Sequence, residues 1–162
     1  MKTAQRILAF LLCLFSLPAY AAAPQSNQHL CKEEDLIGGT WKMMTMSETP
    51  PRREAVLYEH VPYHYLAFYP DHYYAYVASD AEITTPAALQ KVLQWPQPAH
   101  RILKYTLDNK GLLNLYLDKK MLYSYRCLAM AADGGGYRKN DLILTGYTRK
   151  KTQLYKLYRR WY

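Results

Sequence analysis

Beyond Cys31 the chain is dominated by short segments in which apolar and polar positions alternate with a period of two, the pattern of strands that bury one face. Eight segments carry it. Residues 39–47 form the first, closed by Pro50-Pro51. Residues 63–69 and 73–78 flank Pro70-Asp71-His72, a tight hairpin turn. Residues 101–107 and 112–117 flank Asp108-Asn109-Lys110-Gly111, a second hairpin with glycine where a positive φ is needed. Residues 122–130 run into a loop at Asp133-Gly134-Gly135-Gly136. The last two, 141–148 and 153–161, meet across Arg149-Lys150-Lys151. One segment breaks the pattern. Thr85 suits a helix cap and Pro86 the first helical position, residues 87–94 are mostly helix formers, and Trp95-Pro96-Gln97-Pro98 stops them. Leu89, Val92 and Leu93 have helical spacing, so this helix should lie against the rest of the fold.

Eight sequential antiparallel strands in about 125 residues close most simply into an up-and-down barrel, which removes exposed strand edges. The expected fold is therefore all-β: an eight-stranded antiparallel barrel with one short helix between strands three and four. A barrel of that size is filled by side chains or holds one small ligand.

Alternation also assigns an inner face, if charged residues point to water. Lys42 outward places Trp41, Met43 and Thr45 inside. Lys104 outward places Leu103, Tyr105 and Leu107 inside; Asn114 and Asp118 outward do the same for Leu113, Leu115 and Leu117. Arg126 outward places Tyr123, Tyr125 and Cys127 inside, and Lys156 outward places Tyr155, Leu157 and Arg159 inside. Residues 63–78 stay ambiguous, because tyrosine occurs at both parities.

Tyrosine is the extreme of composition, 17 of 162 residues. It favours half-buried pleated surfaces, which again argues for sheet. Inward tyrosines also bring hydroxyls that need partners, which a wet or ligand-bearing cavity supplies more readily than a side-chain-filled core. The cavity candidates are Met43, Tyr105, Leu115, Tyr123, Tyr125 and Tyr155.

The start of the chain bears on location. Lys2 and Arg6 precede an apolar run over residues 7–17, Pro18 breaks it, and Ala19-Tyr20-Ala21 has small residues where a signal peptidase reads. Residues 1–21 thus read as a signal peptide, 22–35 as an N-terminal lead-in with an unstructured polar stretch, and 36–162 as the barrel domain. The expected location is exported, periplasmic or secreted, in a bacterium. No later run is long enough to span a membrane. Cys13 follows Leu12 inside the leader, which does not suit lipidation. Cys31 and Cys127 remain, and in an oxidising compartment they favour one disulfide; the alternative is two unpaired core thiols.

The full sequence has a net charge of +8, and without residues 1–21 it holds 19 basic against 13 acidic residues, or +6. Anionic lipid or an envelope protein could answer that charge, and so could solubility alone. Its densest block is Arg149, Lys150, Lys151, Lys156, Arg159 and Arg160, interleaved with Tyr155, Tyr158 and Trp161. Nucleic acid is a poor fit for an exported barrel without other signals. His60, His64 and His72 lack metal-ligand spacing on strands. Ser47, Ser79 and Ser124 lack the flanking glycines of a nucleophile elbow, and Gly134 to Gly136 open no helix. The sequence therefore predicts no catalytic residues, no metal, no cofactor and no enzyme.

Leu36-Ile37-Gly38-Gly39-Thr40-Trp41 resembles the opening of lipocalin-like and calycin barrels, in which Gly-x-Trp starts the first strand. Residues 65–76, with Phe68-Tyr69-Pro70-Asp71 at the turn, are similar to the second hairpin of small bacterial lipocalin-like domains, with His72 where glycine is usual. The resemblance implies that Trp41 plugs one barrel end beneath an arginine of the last strand. Arg159 and Arg160 both qualify, and inward parity selects Arg159. It also implies that a Cys31–Cys127 bond would staple the lead-in across the barrel floor. The helix between strands three and four departs from the lipocalin pattern. The resulting expectation is a barrel binding a small apolar or amphipathic ligand inside. The alternative is a protein-binding module, an inhibitor or envelope-assembly factor, acting through loops and the basic C-terminal strand.

Overall fold

A computed structural model describes residues 27–49, 61–93, 103–147 and 152–161. Its elements are β1 (Gln28–Leu30), α1 (Glu33–Leu36), β2 (Thr40–Thr49), β3 (Tyr63–Tyr69), β4 (Tyr73–Ser79), α2 (Pro86–Leu93), β5 (Leu103–Leu107), β6 (Leu112–Leu117), β7 (Lys120–Met130), β8 (Leu142–Tyr147) and β9 (Gln153–Arg160). Strands β2 to β9 pair antiparallel in sequence order, and β9 returns to pair with β2, closing an eight-stranded barrel. The leader lies outside the described residues.

The two hairpin turns have identifiable causes. Asp108 Oδ1 accepts bonds from the Lys110 and Leu112 amides, 2.9 and 2.8 Å, and Gly111 takes φ +71°. Glycine is needed there twice over, because a Cβ would lie 3.1 Å from the Cys127 carbonyl oxygen. At the β3–β4 turn His72 adopts φ +59° without being glycine. Its carbonyl accepts the Tyr105 amide at 2.8 Å, and its Nδ1 lies 3.4 Å from the Glu33 carboxylate.

One end of the barrel is covered from below. β1 pairs with the end of β7, and α1 follows it with Leu36 fully buried in the interior cluster. The end of the lead-in is therefore ordered, unlike the unstructured stretch expected over 24–29: Gln28, His29 and Leu30 face Met130, Ala129 and Leu128. The sulfurs of Cys31 and Cys127 are bonded, with Cα atoms 5.4 Å apart, tying this cover to β7. Tyr105 Oη donates to Glu33 Oε2 at 2.7 Å, and His29 bonds Asp35, so polar contacts hold α1 as well.

α2 lies over the outer face of β3 and β4. Thr85 Oγ1 accepts the Ala88 amide at 3.3 Å, and Leu89 and Leu93 bury against Tyr65 and Ala67. Val92 of the same helix stays 40% exposed. Burial on both sides of β3 explains its mixed parity: His64, Leu66 and Phe68 face inward, Tyr65 and Ala67 face α2, and all five are buried.

Two inner-face assignments change. A bulge at Met44 shifts the register of β2, so Thr45 faces outward opposite Leu157 and Met46 faces in. On β9 the parity is inverted: Leu154, Lys156 and Tyr158 point inward, while Tyr155 and Leu157 join an outer cluster with Met130 and Ile143.

Candidate functional site

Above the covered end, the inner faces of the barrel do not meet. They enclose a cavity of about 320 Å³, within the range of small-molecule sites. Its apolar wall comes from six strands: Met43 and Met46 of β2, Leu66 of β3, Leu103 of β5, Leu115 of β6, Leu122 of β7 and Leu144 of β8. Polar groups interrupt that wall at chosen places. His64 and Tyr76 share a hydrogen bond across the β3–β4 hairpin. Tyr74 beside them is buried, which pushes its phenol pKa up to about 12, so it stays a neutral donor well into the alkaline range. From β7, Tyr123 and Tyr125 stack with ring centroids 5.6 Å apart.

Tyr125 owes its place to Gly146, its partner on β8. A Cβ at 146 would meet Tyr125 Cδ1 at 3.0 Å and the Ser124 carbonyl oxygen at 2.5 Å, so only glycine lets the ring lie flat there. Opposite, Lys156 enters between Met46 and Leu144, its register partners on β2 and β8. It is only 8% exposed, and its ammonium sits 5.2 Å from the Tyr123 ring centroid and 5.6 Å from that of Tyr125. Two aromatic faces stabilise a cation held away from water.

Of the six cavity candidates, Met43, Leu115, Tyr123 and Tyr125 line this space. Tyr105 is buried nearer the covered end, where its hydroxyl is committed to Glu33 and the Tyr69 carbonyl. Burial, and then that bond to Glu33, push its phenol up. Tyr155 lies outside the barrel, its hydroxyl 3.1 Å from that of Tyr137. Lys156, His64, Tyr74, Tyr76 and Tyr158 line the cavity without having been selected from the sequence. The helix offered one usable signal: once an amphipathic helix covers Tyr65 and Ala67, the alternate positions His64 and Leu66 must face in. Nothing comparable marked Lys156.

Inversion of β9 also reassigns the barrel-end arginine. Trp41 is fully buried and packs edge-on against Phe68 at 5.9 Å. Arg160, not Arg159, is its register partner, and both side chains crowd Gly39: a Cβ there would lie 2.9 Å from Arg160 Nε and from Trp41 Cη2. Arg160 donates to the Gly38 carbonyl at 3.1 Å. Arg159 turns outward instead and clamps the fully buried carboxylate of Asp141 through Nε and Nη2, at 3.1 and 3.0 Å.

The basic C-terminal strand is thus not a continuous basic face. Lys156 points into the barrel, Arg159 holds Asp141, and Arg160 caps the Trp41 end; Arg149, Lys150 and Lys151 lie outside the described residues. His64 and His72 sit at opposite ends of the β3–β4 hairpin, His60 is outside the described residues, and no group of three metal-ligating side chains occurs among those described. No described helix is long and apolar enough to cross a membrane. No protein-family model, curated protein or solved structure matches the chain.

Proposed function

We propose that this protein is an exported, lipocalin-like barrel that binds one small amphipathic ligand in its interior. The observation that carries the reading is the cavity itself: an apolar wall drawn from six strands, interrupted by tyrosine hydroxyls and one lysine. Apolar area withdrawn from water supplies affinity at about 25 cal/mol per Å² before association costs, and the polar groups orient the ligand. The kinship with lipocalins rests on Gly39-Thr40-Trp41 opening the first barrel strand and on an arginine of the last strand beside Trp41. Export rests on the leader pattern of residues 1–21 and on the Cys31–Cys127 bond, which an oxidising compartment preserves.

The test is native mass spectrometry of the mature protein, exported and purified without refolding. The carrier reading expects a reproducible adduct of small-molecule mass that is lost on denaturation. A bare polypeptide from several preparations, with no mass gained on incubation with amphiphiles, would favour the protein-binding alternative.

A further inference from the structure

We infer that the tip of the β6–β7 hairpin is a docking surface for an anionic lipid bilayer, which it meets beside the mouth of the cavity. The surface stands on its own observations. The carrier reading gives it a use, and either can fail without the other.

Strands β6 and β7 join through a two-residue turn, Asp118-Lys119, with Leu117 and Lys120 as their last register pair. The tip of so tight a turn ordinarily carries polar residues that water solvates. Here residues 117–121 are all exposed, and the outer two are apolar: Leu117 at 42% and Met121 at 47%. One exposed apolar side chain needs no explanation, but two large ones straddling a single turn form an apolar edge. That edge continues to the cavity. Leu103 faces Leu117 in register, Leu122 follows Met121, and both line the interior space. Among the described lining residues Tyr76 alone is exposed, at 44%, so the cavity reaches solvent on this side.

Charge selects the occupant. Between the two apolar residues stand Lys119 and Lys120 against Asp118, and neither lysine makes an ion pair among the described residues. An anionic bilayer answers both features at once. Leucine and methionine pass the headgroups into the acyl boundary, while two ammonium groups on long stems stay level with the phosphates. The Tyr76 ring, with an apolar body and a polar tip, suits the same interface. The excess of basic over acidic residues in the full sequence, 21 against 13, draws the chain toward the same surface.

The experiment is co-sedimentation of the exported protein with vesicles of phosphatidylcholine alone, or of phosphatidylcholine and phosphatidylglycerol in equal parts. Wild type should bind the anionic vesicles and leave the neutral ones. Lys119→Gln with Lys120→Gln should weaken binding about 30-fold, from roughly fivefold per lysine at a charged surface. Leu117→Ser with Met121→Ser should weaken it about tenfold, through lost apolar contact. Lys110→Gln with Lys139→Gln removes the same charge from exposed turns elsewhere and should cost less than about threefold. All six side chains are exposed, so the variants should fold, and circular dichroism checks that. The inference is overturned if wild type ignores anionic vesicles or binds both kinds equally. It is overturned as well if either tip variant binds like wild type, or if the distant lysine pair costs as much as the tip pair. None of these results touches the carrier reading, which a bound adduct in native mass spectrometry decides separately.

Discussion

Removing the Cys31–Cys127 bond should weaken the fold substantially and leave the cavity unchanged. The bond closes a loop with a sequence separation of 96 between a cover segment and β7. Chain-entropy arithmetic for a loop of roughly 100 residues gives about 4.7 kcal/mol at 25 °C, and measured values more often fall at about 2–4 kcal/mol. The native structure keeps other anchors for this segment. Leu36 is fully buried, Cys31 donates its amide to the Cys127 carbonyl at 3.1 Å, and Glu33 accepts from Tyr105. The fold should therefore survive as a folded but less stable barrel. We expect urea unfolding of a Cys31→Ala/Cys127→Ala variant to show a loss of about 2–4 kcal/mol. The urea dependence should steepen as well, because an unlinked denatured chain exposes more surface. None of the residues that line the cavity belongs to the covering segment, so ligand affinity should change less than twofold. A stability difference below about 0.5 kcal/mol, in a variant whose parent is verified to be oxidised, would refute the claim that this link constrains the denatured chain.

Arg159→Met should cost about 3 kcal/mol, the low end for breaking a buried pair, because the arginine side chain keeps 19% exposure while Asp141 has none. Asp141→Asn should cost less, and a double-mutant cycle in denaturant should give a coupling above about 1 kcal/mol; additive effects would remove the pair from the account. Alkaline pH should unfold the barrel. Burial raises the phenol pKa of Tyr74 to about 12 and raises that of Tyr105 further, so the folded state holds these protons more tightly than an unfolded chain does. The stability they contribute is intact below about pH 10 and is lost as pH climbs toward about 12. Tyrosinate absorbance should therefore lag for the buried tyrosines and rise together with unfolding; full ionisation near pH 10 in a folded protein would contradict their burial.

The sequence carried the barrel because its signals were local. Asp108 and Gly111 dictate one turn, Thr85 and Pro86 start the helix, and alternation on β5 and β6 places Tyr105 and Leu115 inward as expected. The inner face was less legible wherever a residue's surroundings are non-local. The bulge at Met44 swaps Thr45 for Met46, and no residue near it announces the extra position. Tyrosines of β3 could not be sorted until α2 was known to cover their outer face. On β9, Tyr155 and Leu157 are about as apolar as Leu154 and Tyr158, so the charge of Lys156 decided the parity, and it decided wrongly. Lysine enters the barrel because Tyr123 and Tyr125, 31 to 33 residues earlier in the chain, present their rings to it. The same inversion moved the role beside Trp41 from Arg159 to Arg160.

The central claim is that ligand binds inside the barrel, and filling the cavity tests it most directly. Leu115 and Leu144 both line the space, and Leu115→Trp with Leu144→Phe would occupy much of it without touching the covered end or the disulfide. A fluorescent fatty acid titrated into wild type should show saturable, one-to-one binding. In a variant that unfolds as cooperatively as wild type, the account predicts at least a tenfold loss of affinity. Undiminished binding by the filled barrel would place the ligand on the outer surface and contradict the account.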